Sequence, residues 1–138
     1  MTPQDIKKYF FTYRDGLTAD VLRRGGVPCK MIFGLQIPQI AALAREMSDM
    51  PAAEKDSLGR ILWNDRSVRE SRLLACYLLN PESVMMEEAL HMAADVQSQE
   101  EADILVFRLL RHLPYASELL DRLDSESPVA RALARMIC

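Results

Sequence analysis

The chain has 138 residues, 49% of them hydrophobic, so it is long enough to bury one core and too short to make two domains the default expectation. Its 17 basic and 20 acidic residues give a formal net charge of -3, which excludes a global positive field that would attract nucleic acid or an anionic membrane. Three widely spaced cysteines and the lack of any apolar run near the roughly 18 residues of a membrane span predict a cytoplasmic protein that enters no membrane. We expect a single domain over residues 1–138.

The N-terminal part of the chain is predicted to form helices separated by glycine and proline. Thr2 and Pro3 have the character of an N-cap and a first helical residue, and they predict a helix over about 3–14. A shorter helical piece is predicted over 18–24, where a glycine pair ends it. Residues 25–36 have no clear pattern.

Prolines and a capping signal predict where the later helices begin. Ser98, with Glu101 three residues later, resembles a capping box and predicts a helix through about Leu113. Four prolines each precede a segment of helical period, where a missing N–H costs nothing and the fixed φ suits a first turn. They are Pro38, Pro51, Pro81 and Pro128.

The best-specified element is a helical hairpin over residues 58–79. Its first helix runs to Trp63 and its second begins near Ser67, so the short link requires an antiparallel return. Trp63 is expected to close the hairpin core, with stacking on a nucleotide as the alternative, and Cys76 is expected to be a small core residue. Because period-2 alternation is not convincing anywhere, we predict an all-α chain of about seven or eight helices that stack in pairs.

Three arginines at spacing three follow the first helix of this hairpin. If Arg66, Arg69 and Arg72 share one face of a helix, they form a drifting basic row that could bind phosphates. Asp65 and Glu70 lie among them, so an ordinary solvated face in which the charges pair with one another is an equal alternative.

Two consecutive segments, MIFGLQIPQIAALAREM and ILWNDRSVRESRLLACYLL, resemble the AlkD-like DNA alkylation repair family. The resemblance implies a HEAT-like helical repeat α-solenoid, that is, an α-α superhelix, whose concave basic face binds duplex DNA. It also implies a DNA glycosylase-like enzyme that excises N3- or N7-alkylated purines, and we expect no cofactor. The residues that carry the resemblance are Phe33-Gly34, Pro38, Leu62-Trp63, Glu70 and Arg72-Leu73-Leu74-Ala75.

The same resemblance suggests which residues form the site. Asp103 falls at the position of the family's aspartate, which stabilises the developing sugar cation, and Gln99 stands where the family has a tryptophan one turn earlier. Arg131 resembles an arginine of the family's following repeat, so Arg66, Arg69, Arg72 and Arg131 are the expected DNA-binding residues. The chain stops where family members continue, and we therefore expect a shortened relative.

Asp103 also has a purely structural interpretation. It lies at helical spacing with Val106, Phe107 and Leu110, so a carboxylate on this apolar stripe would need a partner. An Asp–Arg pair between stacked helices, with Arg131 as the partner, would satisfy that need. No cysteine or acidic group stands at ligand spacing around the two histidines, so no metal site is expected.

The alternative function is a non-catalytic HEAT-like interaction scaffold or a homodimer. The acidic balance of the chain and Gln99 at the tryptophan position favour it. Because the end of a solenoid needs a cap, we expect a second subunit or a protein partner to cover the C-terminal helix. The apolar residues of that helix are Val129, Leu133, Met136 and Ile137.

Overall fold

The computed structural model describes residues 1–137, and over that range the chain forms nine α-helices, one 3₁₀ turn and no β-strand. The all-α prediction is therefore confirmed, with one or two more helices than expected. The helices are α1 Pro3–Thr12, α2 Gly16–Arg24, α3 Ile37–Glu46, α4 Ala52–Asn64, α5 Arg69–Leu78, α6 Met86–Ala94, α7 Gln99–Arg108, α8 Ala116–Arg122 and α9 Pro128–Ile137, and the 3₁₀ turn is Leu110–His112.

Side chains cap several of these helices at the N-terminus, among them α1, α2, α7 and α9, where the Ser127 hydroxyl accepts from the Ala130 N–H. The Thr2 hydroxyl accepts a hydrogen bond from the Asp5 N–H, and the Asp5 carboxylate accepts one from the Thr2 N–H, so the predicted start of α1 is confirmed. Ser98 caps α7 through the Glu101 N–H, as expected. Asp15, which stands between α1 and α2, is the N-cap of α2 and accepts from two backbone N–H groups.

Two predicted boundaries are wrong, and both have a local cause. Pro81 does not begin a helix, because Asn80 closes a turn there: its side chain accepts from the Glu82 N–H and its carbonyl from the Ser83 N–H. The helix predicted to reach Leu113 ends at Arg108, where the chain tightens into the 3₁₀ turn.

The chain divides into two compact units, unit 1 from Met1 to Leu78 and unit 2 from Leu79 onward. The expectation of a single domain stays a prediction.

Unit 1 is organised around α4 and α5, which pack against each other more extensively than any other pair of helices. Helix α3 packs on α5, and α1 packs on α4. Trp63 and Cys76 are buried, so their prediction as core residues is confirmed. Each buried leucine or isoleucine of such a core contributes on the order of 2 kcal/mol of transfer free energy. Fully buried members of the unit 1 core include Ile6, Phe10, Leu35, Ile40, Leu43 and Leu74.

The stretch without a sequence pattern, residues 25–36, is held by backbone pairing with the link between α4 and α5. The Met31 N–H donates to the Ser67 carbonyl at 2.8 Å, and the Arg69 N–H donates to the Met31 carbonyl at 3.2 Å. Gly34 has a φ of +89°, and a Cβ there would lie 2.2 Å from the carbonyl oxygen of Asp15. Only glycine allows the loop to approach α2 this closely.

Unit 2 has α9 at its centre. Helix α9 packs against α7 and α8, and α6 packs against α8. Val129 and Leu133 are fully buried inside this unit. The neighbouring helices of the same unit thus cover two of the four residues that were expected to contact a partner subunit, while the other two, Met136 and Ile137, are partly exposed. No helix in the described range has the length and apolar character needed to cross a membrane.

Candidate functional site

The three arginines of the predicted basic row do not form one exposed row. Helix α5 begins at Arg69, so Arg66 lies in the link before it, where it is exposed. Arg69 is 4% exposed and Arg72 is fully buried. A phosphate contact by Arg69 or Arg72 would therefore require the interior of unit 1 to open.

Arg72 holds the two helices of the hairpin together. Its Nε donates to the Trp63 carbonyl at 2.8 Å, and its guanidinium carbon lies 4.1 Å from the centroid of the Trp63 ring. The hydrogen bond satisfies a carbonyl at the end of α4, and the cation–π contact replaces part of the hydration that burial removes. In this structure the Arg72–Trp63 pair is a packing feature of the hairpin.

Arg69 and Glu70 form a buried ion pair that also holds the loop before α3. The Arg69 Nη1 lies 2.6 Å from the Glu70 Oε2 and donates to the Leu35 carbonyl at 2.9 Å. The Glu70 carboxylate accepts hydrogen bonds from the Phe33 and Gly34 N–H groups, each at 3.0 Å. Two of the motifs that carry the family resemblance, Phe33-Gly34 and Glu70, thus contact each other directly.

Asp103 lies at the solvent edge of α7, where its side chain is 44% exposed. The expectation that it lies on a buried stripe is wrong, although its neighbour Val106 is buried. The Asp103 Oδ1 accepts a hydrogen bond from the Gln99 Nε2 at 2.8 Å and lies 3.9 Å from the Arg135 Nη2 of α9. Gln99, at the position of the family's tryptophan, therefore contacts the carboxylate itself.

The predicted pair between Asp103 and Arg131 does not form. Arg131 instead pairs with Glu126 at 3.1 Å, with both side chains more than half exposed. Arg135, one turn further along α9, takes the expected position beside Asp103. The sequence correctly indicated a contact between these two helices, but it did not indicate which turn of α9 provides the arginine.

Phe107 is a component of this surface that sequence reasoning did not single out. It lies one turn after Asp103 and is 43% exposed, although its spacing suggested a core residue. The guanidinium carbon of Arg111 lies 4.2 Å from the Phe107 ring centroid, and the Arg111 Nε donates to the Phe107 carbonyl at 2.8 Å. The four-residue spacing of Gln99, Asp103, Phe107 and Arg111 was the available signal.

These residues, with α9, form one exposed surface that we call the α7–α9 surface. It consists of Gln99, Asp103, Phe107, Arg111, Arg131 and Arg135. A carboxylate stabilises a nearby positive centre, arginines bind phosphate, and an exposed ring offers a face for stacking. Among residues 1–137, no three His, Cys, Asp or Glu side chains come together as a metal site would require.

A separate depression of about 400 Å³ lies on unit 1, and its lining carries little chemistry. Glu54 is the one ionisable side chain among its lining residues, so it offers no acid–base pair. The others are Met1, Met50, Ala53, Ser57, Leu58 and Ile61.

The chain matches no protein-family model, no curated protein and no solved structure. The resemblance to the AlkD-like family therefore remains a prediction from the residues between about 31 and 80.

Proposed function

We propose that the protein binds duplex DNA through the α7–α9 surface and excises N3- or N7-alkylated purines there. The observation that carries the proposal is the accessibility of Asp103, whose side chain is 44% exposed beside Arg135 and Gln99. A carboxylate sealed inside a helix interface could not approach a sugar, whereas this one can.

The proposal includes a HEAT-like solenoid in which successive helix pairs stack. Two features support it: the tight α4–α5 hairpin in unit 1, and the packing of α7 against α9 in unit 2. In such folds each helix pair presents one helix to a shared face, where ligands bind. The α7–α9 surface would belong to that face.

The chemistry assigned to Asp103 is electrostatic. An N3- or N7-alkylated purine carries a positive charge and leaves as a neutral base when its bond to the sugar C1′ breaks. The positive charge then resides on the sugar ring, and the anionic Asp103 stabilises that centre until water adds to C1′ and loses a proton. Arg111, Arg131 and Arg135 would contact the phosphates on either side.

Asp103→Asn tests the excision step. We expect the wild-type chain to release free methylpurines from methylated duplex DNA. The variant should lose activity on the order of 100-fold, because a neutral amide cannot stabilise the positive charge on the sugar as a carboxylate does. Asp121→Asn on α8 makes the same chemical change at another exposed position and should leave the activity unaltered. The absence of base release by the wild type would refute excision.

Salt dependence tests the phosphate contacts separately. Replacing Arg131 or Arg135 by alanine should weaken binding to duplex DNA and reduce the slope of log affinity against log salt by about 1 for each arginine replaced. Arg122→Ala, on the exposed part of α8, is the matched control and should leave the slope unchanged. If the wild type does not bind duplex DNA even at low salt, the proposal fails as a whole.

The second candidate is a non-catalytic interaction scaffold, and one observation favours it. The Gln99 amide and the Arg135 guanidinium already occupy the neighbourhood of the Asp103 carboxylate, as in an ordinary surface pair. Under this alternative, DNA binding and base release are both absent, and Gln99→Ala has no effect beyond a small change in stability.

A further inference from the structure

The outward side of α2 exposes two large aliphatic side chains. Leu17 is 78% exposed and Val21 is 64% exposed, and their four-residue spacing places them on one face of the helix. The opposite side of α2 is already packed, since Ala19 and Leu22 join a small core with Cys29, Ile32 and Val27. Leu17 and Val21 therefore do not contribute to the core that holds α2 in place.

An exposed aromatic residue and several basic residues accompany these two side chains. Phe11, near the end of α1, is 57% exposed, and the Arg14 guanidinium carbon lies 3.9 Å from its ring centroid. Arg24 lies one turn beyond Val21 on the same side of α2. We call Phe11, Arg14, Leu17, Val21 and Arg24 the basic apolar surface, whose one carboxylate neighbour on the same side of α2 is the exposed Asp20.

The charge of this part of the chain is opposite to that of the whole molecule. Residues 1–30 contain six basic and three acidic residues, a local charge of +3 in a chain of net charge -3. Two of the three carboxylates, those of Asp5 and Asp15, bond to backbone N–H groups at the starts of α1 and α2. The basic residues are Lys7, Lys8, Arg14, Arg23, Arg24 and Lys30.

A surface of the opposite character lies at the start of α6. Residues 73–107 contain seven acidic residues and no lysine or arginine, although Glu101 is buried and Asp103 lies beside Arg135. Within them, Met85 is the N-cap of α6 and is 69% exposed, with Glu82 and Glu87 exposed beside it. The Tyr115 hydroxyl donates to the Val84 carbonyl and holds this segment in place within unit 2. We call Glu82, Met85 and Glu87 the acidic apolar surface.

We propose that the chain associates with itself head to tail, the basic apolar surface of one copy seated on the acidic apolar surface of another. Contact between these surfaces removes Leu17, Val21 and Met85 from water and brings opposite charges together. A symmetric contact between two basic apolar surfaces would instead bring like charges together. Both surfaces are small, so the association is weak, depends on concentration and is reduced by salt.

Sedimentation velocity of the full chain at low salt, over a wide concentration range, tests the proposal. The wild type should show an average mass that rises with concentration and falls when salt is added. Leu17→Glu and Met85→Asn should each remain monomeric, because the first places a carboxylate against the acidic apolar surface and the second removes the only large apolar side chain of that surface. Ile61→Glu, which changes another exposed aliphatic residue on α4, is the matched control and should associate like the wild type.

Mixing the two monomeric variants distinguishes a head-to-tail contact from a symmetric one. The Leu17→Glu chain retains the acidic apolar surface and the Met85→Asn chain retains the basic one, so the mixture should form a one-to-one dimer that does not grow further. Circular dichroism confirms that each variant is folded. A wild type that stays monomeric at all concentrations, loss of association in only one of the two variants, or a mixture that remains monomeric would each overturn the proposal.

Discussion

Glu70 is a fully buried carboxylate whose neighbours come from two parts of unit 1. It pairs with Arg69 on its own helix and accepts hydrogen bonds from the Phe33 and Gly34 N–H groups of the loop. A buried charge is tolerated only when it is paired and hydrogen-bonded, and both conditions hold here. Throughout residues 1–137, moreover, every buried side-chain nitrogen or oxygen has a hydrogen-bond partner. The charge at position 70 is therefore structural.

Replacing Glu70 by glutamine should lower the free energy of unfolding by about 3 kcal/mol or more. The amide has nearly the same shape, but it leaves the Arg69 guanidinium buried without its counter-charge and provides one acceptor oxygen where the carboxylate provides two. Chemical denaturation of the two chains measures the difference. Glu118→Gln, at an exposed position on α8, is the control and should change stability by less than about 0.5 kcal/mol. A similarly small loss for the Glu70 variant would contradict this interpretation.

The sequence indicated which residues of the α4–α5 hairpin are important, but it did not indicate what those residues contact. Glu70, Arg72 and Trp63 were all singled out, and the burial of Trp63 followed from its size and position. The burial of Arg69 and Arg72 did not follow, because spacing along a helix does not reveal whether a carbonyl or an aromatic ring lies nearby to receive a guanidinium. Asp103 and Phe107 were predicted to lie on the buried side of α7 for a related reason. The spacing of apolar residues does not show where the buried side of a helix ends, because that depends on how the helix packs.

At the scale of the element, start signals predicted helices better than stop signals did. Caps act within three or four residues, so Thr2 and Ser98 were sufficient to predict the starts of α1 and α7. A proline alone was a weaker start signal, since Asn80 closes a turn at Pro81, and no signal predicted that α7 tightens into a 3₁₀ turn after Arg108. The contact between α7 and α9 was anticipated, whereas the pairing of Asp103 with Arg135 depends on which turn of α9 faces it.

The cap of α1 leads to a prediction about pH. Hydrogen bonds from the Thr2 backbone and then from its side chain hold the pKa of Asp5 below its ordinary value of 3.8. Because the folded pKa is the lower one, the unfolded chain takes up this proton at higher pH. The cap's contribution to stability is therefore complete above the unfolded pKa and is lost as the pH falls through the folded one.

Thr2→Ala should raise the pKa of Asp5 toward 3.8, because the variant loses the hydroxyl that takes part in the capping box. An NMR titration of the side-chain carboxyl carbon of Asp5 measures this shift. Thr12→Ala removes a hydroxyl from the other end of the same helix, where it bonds to the Lys8 carbonyl, and should not change the pKa of Asp5. Equal pKa values for Asp5 in wild type and Thr2→Ala would show that the side chain of Thr2 does not affect this carboxyl group.

At the scale of the whole molecule, the main feature is a separation of charge along the chain. The N-terminal 30 residues carry +3, and residues 73–107 carry -7. The net charge of -3 does not reveal this separation. The binding of ions to a charged surface depends on the local field at that surface, so the separation has consequences that the net charge does not predict. The charges could be counted from the sequence alone, but only the exposure of Leu17, Val21 and Met85 shows where apolar contact could accompany them.

The charge separation predicts that a cation-exchange resin will retain the chain at neutral pH and low salt, despite its negative net charge. Arg23→Glu combined with Arg24→Glu should abolish the retention, because it changes the local charge of residues 1–30 from +3 to -1, each reversal removing two units. The control is Lys55→Glu combined with Arg122→Glu, which makes the same total change elsewhere and should still be retained. Elution of both double variants with the unbound fraction would contradict the prediction.

The contact between Glu70 and the loop also determines the order in which unit 1 can assemble. The Phe33 and Gly34 N–H groups lie 37 and 36 residues before their acceptor along the chain. While the ribosome is synthesising the protein, α2 and the loop emerge well before the carboxylate that will hold them. The hydrogen bonds that hold this loop can therefore form only after residue 70 has been synthesised.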